Sequence, residues 1–445
     1  MTEKAARAPT GTWRRPFFTI WTAQQVSLIG SQVAQFALVW WLTATTGSAT
    51  VLATATLVAV LPQIVLSPIA GALVDRWDRR RVMIVADFLI ALVSLCLAVL
   101  FIAGKIQIWH VYLVMFARAV GGAFHGQAMT ASISLLVPKD QLARIAGLNQ
   151  IMNGGLNIVS PAIGAFLLAI LPLSGVMFVD AATAMVGIVP LFFIPIPRPH
   201  RAPVSTGFSV WKDLQEGIRY VRAWPALVLL IAMALLIKLA LTPAFSLLPL
   251  LVKNHFHGGP AQLGAFEGLF GVGVVAGGVL LGVWGGFRRK IKTIQGGVLI
   301  LGAGLTALAF VPGGFFFAGL ACLFAMGFAV SLVDGPFIAI LQATVAPEIQ
   351  GRVLGVAASL LTLTSPLGLI LAGPLSDRLG LSVWYAAAGV LTLLLGTVGF
   401  LIPTLQRIEE GSQAAALEAE CVDGTDPSTA VVAAGSRDSA PGGIN

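Results

Sequence analysis

"GALVDRWDRRRVMIVADF", residues 71–88, gathers four arginines and three aspartates into a chain that is 57% hydrophobic and only 10% charged. Charge packed this densely marks a place where the chain leaves an apolar environment. On both sides of it run apolar segments of the roughly 20 residues needed to cross a bilayer, and such segments recur to residue 404. The mean hydropathy of +0.91 over 445 residues lies outside the balance of a soluble globular domain. The fold class expected is therefore an all-α polytopic membrane protein. Its 49 glycines and 24 prolines agree, since both residues are commoner in membrane helices than in soluble ones. Three scattered cysteines (Cys96, Cys322, Cys421) suggest neither a disulfide framework nor a metal site. The basic start runs straight into a long first span, so no cleavable leader is expected.

Twelve spans are expected at 17–43, 51–74, 82–104, 107–136, 142–171, 175–196, 225–252, 261–286, 292–311, 314–345, 351–375 and 382–404. The basic residues assign the sides. With the N-terminal segment 1–16 inside, the inner segments hold 22 of the 27 lysines and arginines, and the outer loops only Lys105, Lys253 and Arg378. By the positive-inside rule both termini are expected to be cytoplasmic. The net charge of +8 then belongs to membrane electrostatics rather than to a nucleic-acid partner. The longest internal loop, 197–224, divides the spans into bundles 17–196 and 225–404. Its second half carries Trp211, Leu214, Ile218 and Val221 at helical spacing, the pattern of a short amphipathic helix on the inner surface. The tail 405–445 is rich in Ala, Gly, Ser, Asp and Glu and is expected to be a disordered cytoplasmic segment.

The two bundles repeat one another. "RRRV" at 79–82 recurs as "RRKI" at 288–291, Pro138 as Pro347 and Gly126 as Gly335, each at an offset of 209. Six spans is an even number, so both copies cross in the same direction. A parallel repeat of six-helix bundles, with binding between the halves, is a transporter architecture.

Ionisable residues inside spans are costly and read as functional. Arg118 lies about 11 residues into its span, roughly 16 Å at 1.5 Å per residue, and so needs a buried anion or water. Asp180 and Glu267 sit about five or six residues inside their outer boundaries, where a solvated rim or a helix-to-helix bond competes with proton carriage. Asp334 occupies the repeat position of His125 and can carry a proton if desolvation raises its affinity for one. Lys238 stands alone in the seventh span. In the first span Trp21, Gln24, Gln25, Gln32 and Gln35 fall within one arc of roughly 100°, a polar stripe facing either a cavity or another helix. The pairs Gly273 and Gly277, and Gly278 and Gly282, have the spacing of close helix packing.

The residues also resemble a known family. "GALVDRWDRRRV" resembles the signature between spans two and three of the major facilitator superfamily, at Gly71, Leu73, Asp75, Arg76, Arg79 and Arg80, with Asp78 where that signature often has Gly. "RAVGG" (Arg118, Gly122) resembles its fourth-span motif. "SPAIGA" resembles its fifth-span antiporter motif at Ser160, Pro161 and Gly164, with Ser160 in place of the usual Gly. "IWTAQQVSLIGSQVAQFALVWWLTATTGSA", "FHGQAMTASISLLVPKDQL" and "QGRVLGVAASLLTLTSPLGLILAGPLSDRLG" are similar to bacterial macrolide-efflux proteins. The resemblance implies drug export across the inner (cell) membrane of a bacterium, driven by a proton gradient. It also implies that Gly71, Asp75, Arg76, Arg79 and Arg80 form a latch between halves. A carboxylate beside four arginines, where a helix leaves the membrane, can meet the N-terminus of a helix from the other half.

No G-x-x-x-x-G-K-[ST] loop occurs, and no soluble part is large enough to hydrolyse ATP. Five dispersed histidines make no metal site, and no cofactor or enzymatic role is expected. The expected partners are an amphipathic small molecule, protons and the lipid bilayer, and a monomer is expected. Three rivals remain on the residues alone: a symport importer, an exporter of an anionic siderophore-like metabolite, to which Lys238 would be suited, and a non-transporting sensor or scaffold.

Overall fold

The computed structural model of the chain describes residues 13–196 and 210–409. The segment 1–12, the linker residues 197–209 and the tail from 410 lie outside the described residues. The first half comprises α1 (Arg14–Thr46), α2 (Ala49–Val74), α3 (Arg79–Ile102), α4 (Ile108–Leu136), α5 (Leu142–Ile170) and α6 (Leu173–Phe193). A linker helix α7 (Val210–Ala223) leads to α8 (Pro225–Ser246), α9 (Leu248–Asn254), α10 (Pro260–Trp284), α11 (Lys290–Phe310), α12 (Phe316–Thr344), α13 (Pro347–Leu379) and α14 (Leu381–Leu401). No strand occurs among the described residues. Eleven of these helices are long and apolar enough to cross a membrane; α4 is long enough but carries His110, Arg118 and His125.

The expected seventh span, 225–252, is broken into α8 and α9 at Leu247. Leu247 makes the last bond of α8, donating its N–H to the carbonyl of Pro243. Pro249 has no amide hydrogen to carry the ladder on, and α9 restarts with Leu250 and Leu251 donating to the Leu247 carbonyl. Turn chemistry sets the tight connections. Gly47 takes the left-handed conformation (φ 63°) that closes α1, and Ser48 caps α2 by accepting from the amide of Val51. Asp78 caps α3 by accepting from the amide of Arg81. The residue that departs from the superfamily signature thus starts a helix.

The repeat seen in the sequence recurs in packing. In the first half α1 packs on α5 and α6, α3 on α4 and α6, and α2 on α4. In the second half α8 packs on α13 and α14, α11 on α12 and α14, and α10 on α12. These are the same pairings with every span advanced by six. The α10–α12 seam is the closest: a Cβ on Gly273 or Gly277 would run into the backbone of Phe324 or Phe328, and one on Gly327 into that of Phe270. Gly282 has open space around it and Gly278 only the Ser331 hydroxyl at 4.0 Å, so only the first of the two glycine pairs makes a seam. The amphipathic helix expected in the linker is α7. It packs on α13 and α8, with Gly217 against the Arg352 backbone and Val221 buried.

One end of the bundle carries the α2–α3, α4–α5, α10–α11 and α12–α13 connections, and with them most of the basic residues; it is called here the basic end. At the opposite, far end the halves meet through α2 against α13 and α5 against α10, a pair of contacts related by the repeat. Gly264 of α10 faces the Pro161 carbonyl and Ala165 of α5, and Gly373 of α13 lies against the backbone of Thr50. The Asp377 carboxylate accepts from the amides of Ala49 (2.7 Å) and Thr50 (2.9 Å) and from the Ser48 hydroxyl (2.8 Å), capping α2 from the other half. Lys253 donates to the carbonyls of Thr43 (3.0 Å) and Ala44 (2.8 Å) at the last turn of α1. A carboxylate on a helix N-terminus and an ammonium on a C-terminus both oppose the helix dipole favourably. By contrast, the apolar clusters at the basic end around Phe17, Trp21, Met83 and Ile145 are built from first-half residues alone.

Candidate transport pathway

A cavity of about 570 Å³ runs from mid-helix toward the basic end, walled by α1 through α5. Gln24, Gln25, Gln32 and Gln35 all line it. Trp21, from the same stripe, lies outside this lining; it is buried at the basic end, where its indole N–H donates to Asn149 Oδ1 of α5 at 2.7 Å. The stripe therefore divides between a cavity wall and a helix-to-helix bond.

Two buried polar networks stand on this wall. In the first, Arg118 of α4 forms an ion pair with Asp180 of α6. Ser94 Oγ donates to Asp180 Oδ2 at 2.6 Å and Ser31 Oγ to Oδ1 at 3.1 Å, while Arg118 donates to Ser94 Oγ (2.7 Å) and to the Ser31 carbonyl (3.0 Å). Asp180 is 1% exposed, so it belongs to the interior rather than to a solvated rim. In the second, the Gln24 amide of α1 donates to Asp87 Oδ2 of α3 (3.1 Å) and to the Gly187 carbonyl (3.1 Å). His125 Nε2 lies 2.9 Å from Gln24 Oε1 and 3.4 Å from Asp87 Oδ1. A carboxylate, an imidazole and an amide in contact inside a membrane bundle can take up and pass a proton.

A second cavity of about 400 Å³ lies between the halves. It adjoins the first, because Gln32 and Gln35 line both. Its walls are α1, α5, the α8–α9 break and α10, and Glu267 faces it with Phe36, Phe245 and Phe270. Ser160 and Pro161 of the antiporter-like sequence line it as well. Gly164, one turn on, lies so close to Phe36 that a Cβ would sit 2.7 Å from that ring. This sequence thus forms the α1–α5 and α5–α10 seams. Lys238 and Asp334 sit apart from both cavities, together lining a crevice of about 40 Å³ inside the second half.

The charged α2–α3 loop makes its contacts within its own half. Arg79 reaches Asp75 at 3.4 Å and donates to the Ala131 carbonyl at 2.7 Å. Arg80 donates to the carbonyls of Leu191 and, at 2.6 Å, Phe192, which ties the loop to α6. Asp75 is 70% exposed at its side chain. Arg76 lines a surface groove with Trp77 and Arg81, and Gly71 has only the Gln127 side chain near its missing Cβ.

Sequence reasoning missed three of these groups: Asp87, Asn149 and Asp377. Asp87 satisfies the rule that an ionisable residue within a span is a functional candidate, but it follows four arginines closely and reads as part of their loop. Asp377 lies in "GPLSDRLG", whose Gly–x–Leu–x–Asp–Arg matches that of "GALVDR", a signal that was present and went unread. Asn149 carries no such signal.

Buried charge pairs on a cavity wall, a second cavity between repeated halves and contacts gathered at one end together describe a transporter. The family profile of the Major Facilitator Superfamily matches residues 20–361 and, in a second register, 239–420. The chain belongs to this superfamily. It is 33% identical to the Macrolide efflux protein A of Streptococcus pyogenes, over 89% of this chain and 98% of that one. It is 28% identical to the Multidrug efflux pump Tap of Mycolicibacterium fortuitum, over 91% and 100% of the two chains. The fold is similar to that of a bacterial homologue of the iron transporter ferroportin in an inward-facing state, with a TM-score of 0.64 at 16% identity over 86% of this chain and 98% of that one. Like other members of the superfamily, the protein is a multi-pass membrane transporter and not an enzyme.

Proposed function

We propose that the protein exports amphipathic molecules of the macrolide kind from the bacterial cytoplasm, in exchange for protons. The basic end faces the cytoplasm, and the halves rock about their interface to expose the cavities to each side in turn. The observation that carries this reading is the clustering of contacts between the halves at the far end, beside adjoining cavities lined by amides, aromatic rings and buried titratable pairs. Such a surface rewards buried apolar area and tolerates varied hydrogen-bonding patterns. The similarity to efflux proteins supports outward transport. In this state the pathway opens inward, and Asp75 with Arg79 stands free of the second half. Rocking to the outward state would bring that pair to the opposite half as a latch, with Gly71, Arg76 and Arg80 shaping the loop that carries it.

Protons would enter through the networks of Arg118 with Asp180 and of Asp87 with His125, both on the wall of the larger cavity. The anionic-substrate reading loses its support, because Lys238 shares its crevice with Asp334 and faces neither cavity. The test is accumulation of a radiolabelled macrolide in a susceptible host, with and without an uncoupler. Cells making the protein should accumulate less drug, and the uncoupler should erase the difference. Equal accumulation in producing and control cells would refute export of macrolides.

A further inference from the structure

We propose that Glu267 is the anchor for a protonated amine on the transported molecule, bound in the cavity between the halves. The inference rests on the export reading above and names the chemistry that the site selects. Intramembrane acids are costly, and the others on the cavity walls are satisfied: Asp180 by Arg118 and two serines, Asp87 by His125 and Gln24. Glu267 has no hydrogen bond and no ion pair among the described residues, although it is part-buried and faces a cavity of about 400 Å³. No lysine, arginine or histidine lines that cavity. A counter-charge for this carboxylate must therefore come from a proton or from the ligand.

The surroundings select the ligand. Phe245 and Phe270 meet edge to face at 4.5 Å between ring centroids, and with Phe36 they offer an apolar and π-rich wall beside the carboxylate. Aromatic faces near an ammonium add cation–π attraction to the ion pair. Ser160, on the same wall, is buried, so it shapes the pocket rather than offering its hydroxyl to the ligand. Gln32 and Gln35 continue into the adjoining cavity, which leaves room for a body larger than the amine-bearing part. On the far side, the contact of Gly264 with Ala165 and Pro161 closes the seam. The arrangement fits one cationic nitrogen beside Glu267 and a bulky, sparsely polar remainder. It does not fit a sugar or an amino acid, whose several polar groups would face phenylalanines.

Direct binding to the purified full-length protein in lipid nanodiscs tests this, with two probes: a tritiated macrolide bearing a tertiary amine, and the same macrolide with that amine converted to an uncharged amide. Wild type should bind the amine form at least about tenfold more tightly, since losing one partner of a desolvated charge pair costs more than 1.4 kcal/mol. Glu267→Gln should weaken only the amine form and bring the two probes together. Glu267→Asp should retain part of the preference. Glu267 has no protein partner to lose, so both variants should keep the wild-type melting temperature. If Glu267→Gln binds the amine form like wild type, or weakens both probes equally, the anchor is refuted while export stands. If wild type binds neither probe, the export reading for macrolides fails, and the anchor with it.

Discussion

Arg118 and Asp180 show why charges survive inside this bundle. Each is at most 9% exposed, and the pair is completed by two serine hydroxyls and a backbone carbonyl. Removing one partner of such a pair strands the other as an uncompensated charge and costs about 3–5 kcal/mol. Asp180→Asn should therefore lower the thermal midpoint of the purified protein clearly, and adding Arg118→Gln should restore much of it. If the single variant melts like wild type, the ion pair carries no stability. Its neighbour Asp87 was hidden in the opening stretch. Hydropathy marks it as polar near a helix start, whereas its contacts with His125 and Gln24 depend on how α1, α3 and α4 are turned.

At the scale of elements, the far end is held by a helix of one half capping a helix of the other. Asp377 gives α2 the N-terminal acceptor that a capping residue normally supplies within its own chain segment, and Lys253 does the converse for α1. Hydrogen bonds to a charged acceptor contribute about 1.5–3 kcal/mol each. Asp377 is exposed, which discounts that figure, so Asp377→Ala, which removes every acceptor, should shift the population severalfold toward the state open at the far end. Spin labels on the far ends of α2 and α13 would read this as a longer inter-label distance. An unchanged distance distribution would show that the apolar seams alone, such as that of Gly264 on Ala165, hold this end shut.

At the scale of the whole molecule, the rocking proposed above requires the two ends to oppose one another. A contact that stabilises the state closed at the basic end must be missing from this structure, and Asp75 meets that condition: it is exposed and touches only its own half. Asp75→Asn should slow export severalfold at wild-type protein abundance, because nothing packed depends on its charge here. Arg79→Ala is a less clean probe, since Arg79 is buried and donates to the Ala131 carbonyl. Full export by Asp75→Asn would remove the latch.

The sequence by itself determined the class, the spans to within a few residues and the repeat. Each of these follows from local apolar length or from residues recurring at a fixed offset, and neither needs a partner. It also showed most of the spans that carry charge, α3 with Asp87 excepted. Only the tertiary structure decided what those charges meet. Arg118 is 62 residues from Asp180, and His125 is 38 from Asp87, so each pairing depends on the rotation and depth of separate helices. Close contacts at Gly121 of α4 against Ile90 of α3, and at Gly187 of α6 against Ser27 of α1, go with that rotation. The same holds for Glu267, whose lack of a partner is a property of the cavity rather than of its neighbours in sequence, and for Asp377, whose meaning lies in the helix of the other half that it caps.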